Sequence, residues 1–156
     1  MTTSPGGPRS TSVRHTDTLD RLRATAADAW VATAGGHPAE PYLVPLSLLW
    51  WRERVVLATD ARSRTARNLA ATPRARLGLG PTRDVVVLDA VLESTVPVPE
   101  AEVGLADAYA AQADWDPRSA GPAYVFLVLR PERIQAWREV DEIAGRTLMR
   151  DGVWVG

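Results

Sequence analysis

The chain predicts a mainly β fold: a six- to seven-stranded antiparallel sheet closed into a small barrel, with three short helices. Three observations carry this. Strand-like runs dominate, the clearest being the β-branched DVVVLDAVLESTVPV of residues 84–98. Several of the connections, such as RER at 52–54, are too short to hold a crossover helix, so neighbouring strands must be antiparallel. Finally, 156 residues, 46% of them hydrophobic, suffice for one core, and a single sheet of this many strands removes its edges best by closing on itself.

Residues 1–14 (MTTSPGGPRSTSVR) are Ser-, Thr-, Gly- and Pro-rich and read as a flexible tail preceding a single domain over 15–156. DTLDRLRATAADAW follows as a short helix capped by Asp17 or Thr18, with Leu19, Leu22 and Ala26 on one face. Trp30–Ala34 is a short strand ended by Gly35-Gly36. PYLVPLSLLWW (41–51) and VVLAT (55–59) continue as a meander. Ser63–Ala71 holds good helix formers and is stopped by Pro73. RARLGLG (74–80) alternates as a half-buried strand and leads into the long strand 84–98. Pro99–Ala113 is an Ala-rich helix with Pro and Glu in its first turn. AYVFLVLRPERIQAWRE (123–139) is a strand with a bulge or turn at Arg130-Pro131, and TLMRDGVWVG ends in a hairpin turning at Asp151-Gly152.

Composition excludes several kinds of chemistry. Net charge is −1, against the strongly basic surface of a general nucleic-acid binder. There is no cysteine, hence no disulfide, thiolate metal site or cysteine nucleophile. No apolar run reaches membrane-spanning length, and the expectation is a cytoplasmic chain without membrane or nucleic-acid partners. His15 and His37 have no neighbours at ligand spacing, so no metal site and no Ser-His-Asp triad is expected. Neither a GxGxxG turn nor a P-loop is present. No catalytic residue can be named; chemistry, if any, falls to a bound cofactor that the protein orients.

The arginines mark the candidate site. All 18 cations are arginine, which a GC-rich coding sequence would also produce. Even so, ATDARSRTARNL places Arg62, Ser63, Arg64, Arg67 and Asn68 around a helix start, where free N–H groups favour an anion. Spacing puts 64, 67 and 68 on one face. The competing reading is a solvated helix face paired with Asp60. Arg74 and Arg76 share a different face, on the next strand. Pro45 interrupts an otherwise clean strand and marks an edge or bulge that frees neighbouring backbone groups. Trp50 and Trp51 end that strand on opposite faces, one for the core and one for a ring or an interface.

With these segments in view, the chain resembles the pyridoxamine-phosphate-oxidase-like split β-barrel flavoproteins, in particular the branch of flavin- and deazaflavin (F420)-dependent reductases. PYLVPLSLLWW resembles the family's proline-interrupted second strand, VVLATDARSRTARNLAATPRARLGL its strand, phosphate loop, helix and next strand, and AYVFLVLRPERIQAW its late strand ending on Arg-Pro. The resemblance spans roughly residues 16–140. It implies a homodimer with cofactor at the interface and phosphate held by Arg62, Ser63, Arg64, Arg67 and Asn68. It also implies a ring system along Val44, Pro45, Leu46 and Ser47, near Thr59. Arg64 stands where many relatives carry lysine. The implied activity is hydride transfer between F420, or alternatively FMN, and a small organic substrate. An acidic F420 tail needs further cations, for which Arg83 or Arg14 are candidates. The other readings are a non-catalytic flavin- or haem-type carrier and a structural dimer with a degenerate site that binds no cofactor.

Overall fold

The computed structural model describes residues 3–156. Helix α1 (Thr11–Arg23) precedes strands β1 (Asp28–Gly35), β2 (Glu40–Trp51) and β3 (Arg54–Asp60). Helix α2 (Arg64–Ala71) leads into β4 (Arg74–Leu79) and β5 (Val85–Pro97). Helix α3 (Val103–Ala113), β6 (Tyr124–Trp137), β7 (Thr147–Arg150) and β8 (Val153–Trp154) complete the chain. The sheet runs β3-β2-β1-β4-β5-β6-β7-β8 and closes through β3–β6 pairing, so β1–β6 form an antiparallel barrel with β7 and β8 as an added hairpin. Closure removes most of the sheet's edges, and β8 of this short hairpin ends the sheet on one side.

The alternation read from the sequence sets which residues look inward. Val31, Leu48, Leu57, Leu77, Leu88, Leu127 and Ile134 fill the barrel, all at or near zero exposure, and Leu22 of α1 joins them at one end. A second cluster lies outside the barrel wall, where Leu105, Ala106 and Tyr109 of α3 cover Leu49, Val56, Ala58 and Phe126. Gln112 ties these layers together. Its side-chain oxygen accepts from the Trp50 N–H at 3.1 Å, and its amide donates to the Leu22 carbonyl at 2.6 Å.

Three sequence expectations shift. The first helix starts at Thr11, capped by Ser10, whose hydroxyl accepts from Val13 N; Thr18 is a buried interior residue and Asp17 an ion-pair partner, so neither caps. The described part of the expected tail is held down: Ser4 bonds Asp141, and Arg9 bonds the buried Glu142. Pro99 and Glu100 fall in a separate 3-10 turn, Val98–Glu100, and α3 begins only at Val103. At Arg130-Pro131 the bulge alternative holds: β6 runs through as one strand, with a register shift where Ala90 faces Pro131 and Asp89 faces Arg133. The Asp151-Gly152 hairpin is present, both residues having positive φ (53° and 77°).

Candidate functional site

Barrel closure fails at one place. β2 and β3 pair only from Leu48↔Leu57 to Trp51↔Arg54. Upstream, residues 40–47 of β2 pair with β1 alone, while residues 58–60 of β3 pair with β6 alone. A split therefore opens between the two strands. The expected ring-docking residues Val44, Pro45, Leu46 and Ser47 form one lip, and Thr59 lies on the other.

The direction of the backbone groups follows from one hydrogen bond. Leu48 N donates to the Ala27 carbonyl at 3.1 Å, on the β1 side. Backbone groups alternate along a strand, so those of Leu46 and Val44 also face β1, and those of Ser47, Pro45 and Leu43 face the split. Pro45 has no N–H and could not extend a ladder toward β3. The proline is thus an edge residue, and the split-facing edge offers the Ser47 N–H and the Pro45 carbonyl.

The far lip leads directly into the arginine segment. After Asp60, the chain turns through Ala61 and Arg62, and Ser63 caps α2, its hydroxyl oxygen accepting from Ala66 N at 3.1 Å. That bond leaves the hydroxyl proton free to donate, and the first N–H groups of the helix, those of Arg64 and Thr65, point out of its end. The cations differ in availability. Arg62 is clamped by Asp60, with contacts of 3.1 Å from Nε and 2.9 Å from the terminal nitrogen, and the Arg62 guanidinium holds the Asp60 carboxyl down to about 2. Arg64 lies loosely between Glu40, at 3.4 Å, and the Tyr42 ring, at 5.5 Å. Arg67 is exposed and has no ion-pair partner among the described residues. Three guanidiniums against two carboxylates leave the helix start net positive.

Asn68 does not share their face. It is buried, its amide donates to the Thr33 hydroxyl at 3.1 Å, and its side-chain oxygen packs so tightly on Gly35 that a Cβ there would sit 2.1 Å away. The i, i+3, i+4 spacing groups positions on a helix but does not say which way the edge of the group looks; here position 68 has rotated inward onto β1. Asn68 fastens α2 to the barrel, and Gly35 is glycine because of this close approach.

Other candidates lie elsewhere. His15 stacks on Trp154 with ring centroids 4.2 Å apart, and His37 is exposed in the β1–β2 turn, both away from the split. Among the described residues no group of three or more His, Cys, Asp or Glu could hold a metal ion. Arg14 is buried, donating to the Glu142 carbonyl at 3.4 Å, so it cannot receive an acidic tail; Arg83 is exposed and lies 3.9 Å from Glu139. A cavity of about 850 Å³ lies on the outer face of β4–β6, beyond the C-terminal end of α2. It holds Arg74 and Arg76, but these are paired with Glu132 at 3.2 Å and Asp89 at 2.6 Å. Sequence reading gave Tyr109 no role, although its hydroxyl reaches the split: it donates to the Ser47 carbonyl at 3.2 Å.

No protein-family model matches the chain, and no curated protein matches its sequence. Solved structures do match its fold. An F420 reductase superposes with a TM-score of 0.62 at 16% identity, covering 74% of this chain and 94% of that one. A putative pyridoxamine 5'-phosphate oxidase from Listeria innocua gives 0.59 at 11% identity, covering 80% and 98%. A heme-binding protein from Mycobacterium smegmatis gives 0.62 at 21% identity, covering 92% of this chain and 59% of that one. The fold is the split barrel of the pyridoxamine-phosphate-oxidase-like proteins. No described helix is long and apolar enough to cross a membrane.

Proposed function

We propose that this split barrel is an oxidoreductase that binds F420, with FMN as the alternative, and serves hydride transfer to or from a small organic substrate. The observation that carries the reading is the split itself: an unpaired strand edge with free backbone groups that ends at a positively charged helix start. A planar polar ring joined to an anionic arm has the same two parts in the same order. The reductase among the solved neighbours supports F420 without deciding it.

The residues present fit such a group. Ser63, the N–H groups of Arg64 and Thr65, and Arg67 would hold the phosphate, with Arg64 and the Asp60-bound Arg62 setting the positive field. Ser47 N–H and the Pro45 carbonyl would orient the ring edge. The bound cofactor supplies hydride chemistry; the chain supplies position and field. Trp30 and Leu43, 55% and 58% exposed, lie on adjoining outer positions of β1 and β2, since Trp30 pairs with Pro45 and Ala32 with Leu43. An apolar pair this open beside the split fits a second copy of the chain, making the working unit a homodimer.

The test is a paired fluorescence titration with F420 and FMN, followed by stopped-flow mixing of the reduced complex with a panel of acceptors. Micromolar binding of F420 with weak FMN binding, and acceptor-dependent reoxidation, are expected. Binding without turnover would make the chain a carrier. Binding of neither would leave the arginines as a solvated face and end the proposal.

A further inference from the structure

We infer that Tyr109 is a positioning residue for the split: its buried hydroxyl holds the β2 lip where strand pairing stops, and so fixes the backbone that faces the ring. The inference rests on the split being the cofactor site.

The geometry is that of a replaced ladder rung. Pairing of β2 with β3 ends at Leu48↔Leu57, so the next rung would join Ser47 to Ala58. Tyr109 occupies that place from outside the barrel. Its hydroxyl donates to the Ser47 carbonyl at 3.2 Å, and the Ala58 backbone approaches the Tyr109 hydroxyl from the β3 side. The carbonyl that β3 would have taken is thereby satisfied without closing the gap. The ring is 1% exposed, packed 5.3 Å from Phe126 and 6.3 Å from Trp115 between centroids, and has no room to swing away. Burial pushes the phenol up to about 12, so it stays protonated and donates throughout the neutral range.

One consequence is specific. Ser47 spends its hydroxyl on Asp28, at 2.9 Å, and its carbonyl on Tyr109. The group left to the split is its N–H, held in one direction from both sides. A lip fixed in advance loses less freedom when a ligand docks, which is the ordinary route by which preorganisation raises affinity.

Tyr109→Phe keeps the ring and removes only the hydroxyl. Ile134→Val, a core truncation on β6, serves as the stability control. Two measurements are made on the intact chain. In the ligand-free protein, hydrogen exchange at the Leu46 and Leu48 amides is expected to rise about tenfold in Tyr109→Phe and to stay unchanged in the control. In titrations with F420 and FMN, Tyr109→Phe is expected to weaken the binding of whichever cofactor the wild type takes by about tenfold, with the control unmoved. Exchange at Leu46 and Leu48 that matches wild type overturns the inference, as does equal weakening in Tyr109→Phe and Ile134→Val. Failure of the wild type to bind either cofactor is a different result: it overturns the functional reading, while the exchange data still decide whether Tyr109 fixes the lip.

Discussion

Glu142→Gln should destabilise the protein at neutral pH and lose most of that effect in acid. Glu142 is 1% exposed, and its two oxygens take four N–H donors. Arg9 contributes its backbone N at 2.8 Å, Nε at 3.0 Å and a terminal nitrogen at 2.7 Å; the Arg138 backbone N adds a fourth at 2.8 Å. The Arg9 guanidinium, first among the causes, holds the carboxyl down to about 2 from an ordinary 4.5. That difference corresponds to about 3 kcal/mol as an upper bound, and solvent screening at the rim of the network reduces it to about 2. Glutamine keeps one acceptor but turns an NH2 toward donors and leaves Arg9 with Asp17, at 3.0 Å, and Asp84, at 3.7 Å. A loss of about 2 kcal/mol lowers Tm by roughly 4–8 °C for a chain of this size. The folded-state value is depressed, so the contribution is fully present above about 4.5 and disappears as pH falls toward about 2. Urea unfolding of both proteins at pH 7, 4 and 3 reads this directly. The gap between them should be widest at pH 7 and should have narrowed by pH 3. A gap that is constant with pH, or absent at pH 7, refutes the role assigned to the Arg9–Glu142 latch.

Three further outcomes follow from the same geometry. The double variant Ser63→Ala, Arg67→Ala should weaken cofactor binding by roughly 10- to 100-fold, two charge-assisted contacts being lost, with a shallower salt dependence; unchanged affinity in a titration removes the phosphate site from α2. Gly35→Ala should push Asn68 off Thr33 and cost about 1–3 kcal/mol, measured by thermal unfolding, because the new Cβ has no space beside a buried amide. Trp30→Glu should convert a dimer to a monomer in sedimentation velocity without lowering Tm by more than about 2 °C, since this side chain is already exposed in one chain; a monomeric wild type would count against the homodimer at once.

Much of this molecule was legible in its sequence because the informative signals are local. Period-two alternation gave the barrel strands, Pro45 gave an edge, and Ser63 before a run of helix formers gave the start of α2. What stayed hidden is set by partners distant in the chain. Arg9 lies in a stretch of Ser, Gly and Pro, and nothing nearby announces that Glu142 awaits it. Asn68 belongs to the arginine cluster by spacing and to β1 by packing; only the orientation of α2 on the barrel decides between them. Tyr109 sits in an Ala-rich helix with weak amphipathic pattern, so its reach to Ser47 has no sequence signature. Arg62 is the opposite case: its partner Asp60 lies two residues away, pairing with it is the competing reading of the sequence, and the structure shows that pair.

The two lips of the split differ in length, and this gives the site a direction. At about 3.3 Å per residue, the β2 lip from Ser47 back to Glu40 runs roughly 23 Å, whereas the β3 lip from Ala58 to Asp60 runs only about 7 Å before the chain turns into α2. A ligand laid along β2 from the Tyr109 end therefore meets a strand edge first and a helix start second. The first stretch offers neutral backbone donors and acceptors, with Thr59 opposite; the second offers Ser63, two helix N–H groups and Arg67. Closing the gap with β2–β3 rungs would have satisfied the first stretch and buried nothing of the second. Pro45 removes one donor from that ladder, and Tyr109 takes one acceptor. Both changes act on the same short segment, where the ring of the proposed cofactor would dock with its anionic arm reaching the helix.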